Sequence, residues 1–136
     1  MDQTHFQKYL AAFNARDYET LHRDFFAPDV QLVTLGHVLK GQAGIRKFYS
    51  FFHQYVRETI HLIGFYPTPD GFFAHVGMKL KAFAPLTQEK LSAAGVGNIP
   101  PIPEGAVFEN EMFIHYQIAG GKFKLIRCAT YVPPEA

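Results

Sequence analysis

Seven histidines stand in a chain with a single cysteine, and an imidazole with a pKa near ~6.5 can take and return a proton at neutral pH. His53 follows Phe52 in an apolar helical stretch, His61 falls in a strand-like run, and His115 lies two residues after Phe113. Alternation along Val107–Ala119 puts Glu109, Glu111, Phe113, His115 and Gln117 on one face, where the two carboxylates and the imidazole form a possible acid–base array. Asn110, Met112, Ile114, Tyr116 and Ile118 share the other, more apolar face, which is the one expected to be buried. There Asn110 and Tyr116 could orient a ligand oxygen, although a buried amide or phenol needs a partner in any fold. The Glu–His face supplies a base if a bulge turns it inward; otherwise it meets solvent or a second subunit. No HxH or HxxxH pair with supporting carboxylates occurs, and no glycine-rich phosphate loop, so neither a metal nor another cofactor is expected. Cys128 is next to Arg127 in sequence but on the opposite strand face, and reads as core.

These groups need a scaffold. Phe6, Tyr9, Leu10 and Phe13 recur at helical spacing over residues 3–15, and Asp17 is a candidate N-cap for a second helix running to about Phe26. A strand Val30–Leu35, a turn at Gly36, a short strand His37–Lys40 and a third helix from Gln42 to about Tyr55 follow. The period then changes to two. Thr59–Tyr66 and Phe72–Phe83 read as strands around the turn Thr68-Pro69-Asp70-Gly71. Residues 85–106 hold four of the nine prolines and form a long excursion, with a short helix expected at Gln88–Ala94. Val107–Val132 closes the chain as a hairpin turned at Ala119-Gly120-Gly121-Lys122. Phe123, Leu125, Arg127, Ala129 and Tyr131 alternate with Lys124, Ile126, Cys128, Thr130 and Val132, so both sides of this sheet should be covered.

The order of helices and long antiparallel strands is that of an α+β domain with helices on one face of a curved sheet. At 136 residues one domain is expected. A net charge of +1 with no basic run argues against nucleic acid as a partner. The lone cysteine permits no internal disulfide, no apolar run approaches a membrane span, and the amphipathic start MDQTHFQKYLAAF is unlike a signal peptide. A cytoplasmic location is the expectation.

Gln7–Asp17, Phe26-Ala27-Pro28-Asp29-Val30, Gly41–Tyr49 and Gly121-Lys122-Phe123 together resemble the NTF2-like superfamily, and within it the ketosteroid isomerases and the SnoaL-like polyketide cyclases. The resemblance runs over most of the chain. It implies a cone: three N-terminal helices packed on a curved, mainly antiparallel sheet that encloses an apolar pocket, commonly in a homodimer paired through the sheet's outer face. It also implies that Tyr9 stands where the isomerases place the phenol that donates to a developing enolate. The isomerases' basic aspartate falls at Thr34, which cannot act as a base, and their second acid falls near Met112 or Phe113. Ketosteroid isomerase activity itself is therefore not expected.

The expected function is a cofactor-independent acid–base isomerase, cyclase or dehydratase acting through an enol or enolate on a small, apolar, oxygenated molecule such as a polyketide. Tyr9, His53, Glu111, His115, Asn110 and Tyr116 are its candidate catalytic residues. Phe13, Val30, Leu32, Thr34, Phe48, Phe52, Met78, Met112 and Ile114 are its candidate substrate-binding residues. The alternative is a non-catalytic binding or dimerisation module on the same fold. A pocket of roughly 300 Å³ or more with convergent polar groups would favour the enzyme.

Overall fold

The computed structural model describes residues 1–134. Helix α1 spans Gln3–Asn14, begins where Asp2 accepts a hydrogen bond from the His5 amide at 2.8 Å, and buries Phe6, Tyr9, Leu10 and Phe13. Its far end is tied to the sheet by Asn14, whose side chain bonds both the N–H and the C=O of Ile60 at 2.8 Å. Replacing Asn14 by Ala leaves both backbone groups without this partner and should lower unfolding stability by about 1–3 kcal/mol in a denaturant titration.

Asp17 caps the next helix as expected, accepting from the Thr20 amide at 3.1 Å. That helix does not run to Phe26. α2 covers Tyr18–Thr20, and Leu21–Phe25 form a π-helical turn closed by the Phe26 N–H on the Leu21 carbonyl. The wider turn lets strand β1 start at Phe26 and run to Thr34, four residues earlier than the alternation suggested, with Phe25 and Phe26 both buried. β2 (His37–Lys40) returns from a tight turn in which Leu35 and Gly36 have φ of 51° and 75°. α3 spans Gly41–Phe52 rather than reaching Tyr55.

Strands β3 (Val56–Thr68), β4 (Gly71–Ala82), β5 (Val107–Ala119) and β6 (Lys122–Tyr131) complete a six-stranded sheet in the order β2-β1-β6-β5-β4-β3. The β1–β6 pair is parallel and every other pair antiparallel. Two irregularities bend the sheet and re-aim side chains. The β5–β6 register shifts between Gln117 and Ile118, leaving Lys124 as the extra residue, so that Phe123 and Ile126 are both buried although strict alternation assigns them opposite faces. Ile63 plays the same part in β3, where Leu62 and Phe65 both pack on the core.

The main core lies between α1 and the inner sheet face. Phe6, Phe72, Tyr116 and Phe123 are its centre, with Phe72 and Tyr116 stacked 4.8 Å apart. A second cluster packs the excursion onto the fold. Leu86, Leu91, Val96, Ile99 and Ile102 pack on Phe48, Phe52 and Val56, around the short helix α4 (Gln88–Ala93) and the paired Leu86 and Ile102. Apolar burial rather than backbone regularity holds this segment. Its Asn98 bonds the Leu35 carbonyl at 3.1 Å and the His37 ring, fastening the β1–β2 turn.

Candidate active site

The cone encloses a cavity of about 130 Å³. Strand register arranges its walls in levels: Tyr116 and Ile126 deepest, then Ile114 beside Cys128, then Met112 beside Thr130. Exposure of the inward residues of β5 rises along the strand from Tyr116 at 2% to Met112 at 6% and then to the exposed Asn110, which with the half-exposed Leu35 marks the mouth. Phe13, Phe48, Phe52, Leu32 and Met78 supply the remaining apolar wall. The volume is below the roughly 300 Å³ typical of drug-sized ligands, yet the cone is not filled solid.

One carboxyl group enters this apolar wall. Glu58, 7% exposed on β3, lines the cavity, and its Oε1 lies 3.0 Å from His53 Nε2. Ending α3 at Phe52 makes this contact: His53 becomes the C-cap, and the turn after it brings β3 back alongside within five residues. The other ring nitrogen, Nδ1, is 2.6 Å from the Tyr18 hydroxyl, which also lies 3.4 Å from the Tyr49 carbonyl. With a neutral ring, Tyr18 donates to Nδ1 and Nε2–H donates to Glu58. With a protonated ring, Nδ1–H donates to the Tyr18 oxygen and the phenol proton turns to the Tyr49 carbonyl. Tyr18 thus serves both states of the imidazole. Glu58 Oε2 makes no hydrogen bond among the described residues.

Three phenols, of Tyr9, Tyr49 and Tyr116, also line the cavity. Burial raises the pKa of Tyr9, with smaller contributions in the same direction from Cys128 and Glu58, while the neighbouring Tyr116 works against them. Burial likewise pushes Tyr116 and Tyr49 well above the ordinary phenol value. All three remain proton donors at neutral pH. Burial pushes the Cys128 thiol up to about 12, with Thr34 as a lowering neighbour, so it is a neutral wall group.

These groups keep their protons longer in the folded than in the unfolded chain. Their stabilising effect is whole below the unfolded values, about 9 for the thiol and about 10 for the phenols, and is lost as pH rises toward the folded values. A titration followed by phenolate absorbance should show Tyr9, Tyr49 and Tyr116 ionising only together with alkaline unfolding. Their ionisation in the native state would contradict this.

Of the residues singled out from sequence, Tyr9, Tyr116, Asn110, Phe13, Leu32, Thr34, Phe48, Phe52, Met78, Met112 and Ile114 line the cavity. His53 stands directly behind the wall on Glu58. Three expectations are corrected. Val30 is completely buried in the core and absent from the cavity wall, where Phe26 appears instead, because β1 shifts register between Phe26 and Gln31. His115 and Glu111 lie on the outer sheet face, since β5 alternates without a bulge as far as Gln117. There His115 stacks on Phe73 at 4.4 Å and contacts Asp70 at 3.3 Å and Arg127 at 2.7 Å, while Glu111 lies 3.2 Å from His75. The expected strand start at Thr59, three residues later than the observed Val56, left Glu58 out. Val56, Glu58, Ile60 and Leu62 alternate, and a carboxylate within that apolar set was the available signal. Among the described residues no group of three or more His, Cys, Asp or Glu could hold a metal ion, and no helix is long and apolar enough to cross a membrane.

A curved, unclosed sheet with helices on its inner face and a deep apolar cavity is the NTF2-like architecture. The chain belongs to the SnoaL-like domain family, whose model matches residues 6–126. No protein of curated function matches it in sequence. Among solved structures, a candidate polyketide cyclase from Pseudomonas putida KT2440 is 21% identical with a TM-score of 0.71, over 89% of this chain and 84% of that one. An NTF2-like protein of unknown function from Burkholderia pseudomallei K96243 is 12% identical with a TM-score of 0.69, over 93% and 87%. A computationally designed 17-OHP binder is 16% identical with a TM-score of 0.66, over 93% and 88%.

Proposed function

We propose that this protein is a cofactor-independent acid–base enzyme that isomerises, cyclises or dehydrates a small, largely apolar carbonyl compound through an enol or enolate. The observation that carries this reading is the Glu58 carboxyl in an aromatic cavity, held by His53 at 3.0 Å through one oxygen, while the other has no hydrogen-bond partner among the described residues. Glu58 takes a proton from the carbon beside the carbonyl, and Tyr9 donates to the oxygen as negative charge builds there. The enolate then recovers a proton at another carbon, attacks a second carbonyl of the same molecule, or expels a β-hydroxyl group. Each outcome uses the same first step. His53 positions the carboxyl and stabilises it while the proton is in transit. The P. putida relative, described as a candidate polyketide cyclase, supports this class of chemistry.

The experiment is exchange of the α-hydrogens of 2-cyclohexen-1-one with D2O, followed by NMR, because it reads proton abstraction without requiring the natural substrate. Exchange well above a buffer control is expected. The rival reading, a non-catalytic small-molecule-binding module, draws on the cavity's modest size and on the designed 17-OHP binder of the same fold. It predicts probe binding with no exchange above buffer.

We also propose a homodimer formed through the outer sheet face, where Phe73, Phe113 and Tyr131 are each between 42% and 45% exposed. Pairing two such faces removes this apolar surface from water. Sedimentation at micromolar concentration should give twice the chain mass, and Phe113→Glu should return the monomer.

A further inference from the structure

The cavity's size and its inventory of charge restrict the ligand more than the fold does. An engineered apolar cavity of ~150 Å³ takes up benzene, and the cavity here is about 130 Å³. Its inner end is closed by Tyr9, Phe26 and Tyr116, all buried in the tight aromatic core, so a ligand cannot extend inward past them. No Lys, Arg or His lines the cavity. An anionic ligand would lose its hydration there with no counter-ion. A cationic ligand fares little better: the one carboxyl in the wall, Glu58, is shared with His53 through Oε1, which leaves a single charged oxygen for the three N–H donors of an ammonium. What the wall does present is hydrogen-bond donors, the phenols of Tyr9, Tyr49 and Tyr116.

We infer that the site takes a neutral, single-ring molecule, on the order of six to ten non-hydrogen atoms, that presents one acceptor oxygen to Tyr9. Fused polycycles, free carboxylates and amines are excluded. This rests on the reading of the cavity as the functional site, and it narrows the substrate class from small oxygenated molecules in general to neutral cyclic ketones, enones and their enol or phenol tautomers. The one adjustable part of the wall is Met78 and Met112, whose unbranched side chains sit level with the mouth-side half of the cavity. Shortening Met112 should therefore change the size limit without changing the preference for neutral ligands.

The test is equilibrium binding at pH 7 of four probes: phenol, 2-naphthol, benzoate and benzylammonium. Phenol should bind about 10-fold more tightly than 2-naphthol, whose second ring overpacks the wall, and about 100-fold more tightly than benzoate or benzylammonium, which must shed hydration. Met112→Ala should bring 2-naphthol level with phenol or better while leaving both ions weak. The inference is overturned if 2-naphthol binds the unaltered protein as tightly as phenol, if either ion binds within about threefold of phenol, or if phenol does not bind at all. Glu58→Gln separates this from the catalytic reading. If that variant still exchanges ketone α-hydrogens while the probe order holds, the base assignment falls and the ligand class stands. If exchange is lost but the probe order fails, the reverse is true.

Discussion

Glu58→Gln should slow α-hydrogen exchange of bound 2-cyclohexen-1-one by about 10²- to 10⁴-fold, the usual contribution of a positioned general base. The amide keeps the side chain's volume, and its oxygen still accepts from His53 Nε2, so cavity shape and folding should be preserved to within about 1 kcal/mol. Phenol affinity should change little. The pattern of lost rate with retained binding identifies a group that acts on the reacting proton rather than on ligand affinity. His53→Ala is the informative companion, because it leaves Glu58 chemically intact but without its 3.0 Å partner in a wall of phenylalanines. It should lower the rate and destabilise the fold together, by about 1–3 kcal/mol in stability.

Tyr9→Phe should lower the same rate by about 10²- to 10³-fold, or about 2.7–4 kcal/mol in the barrier, by analogy with other oxyanion donors. The ring is packed against Phe123 at 4.9 Å and Phe25 at 5.5 Å, and phenylalanine retains those contacts. Only the hydroxyl is removed, so stability should fall by about 1 kcal/mol. A hydrogen bond to the oxygen counts for more when that oxygen carries charge, so the ketone's affinity should fall far less than the rate. Tyr116→Phe removes a second phenol whose ring lies 6.2 Å from that of Tyr9, and with Tyr9 as the donor to the ligand its effect should be smaller than that of Tyr9→Phe. An equal or larger effect would transfer the donor role to Tyr116.

The sequence carried the fold through two regularities, the stripe of Phe6, Tyr9, Leu10 and Phe13 on α1 and the alternation of Met112, Ile114 and Tyr116 on β5. Both are local periods set by backbone geometry, and they delivered most of the cavity wall. What escaped depends on irregular backbone. The π-helical turn at Leu21–Phe25 starts β1 early and brings Phe26 into the wall, and the bulge at Lys124 lets Phe123 and Ile126 face inward together. Neither leaves a periodic trace, because each is a single extra residue accommodated by packing. The Glu58–His53–Tyr18 chain was hidden differently. His53 was visible as a candidate base, but its partners come from β3 and from the start of α2, and the contact exists only because α3 ends at Phe52. On the outer face the Glu111 and His115 array was visible and chemically sensible, yet an unbulged β5 turns it away from the cavity.

The claim on which the account turns is that the cavity holds a ligand oxygen at Tyr9 with the ring beside Glu58. The most direct test is a crystal structure with phenol, whose ring and oxygen mimic a cyclic enolate. The account predicts the phenol oxygen within about 2.5–3.0 Å of the Tyr9 hydroxyl, the ring inside the cavity, and a ring edge facing Glu58 Oε2. A phenol bonded through its oxygen to Glu58, or bound outside the cavity, would contradict it.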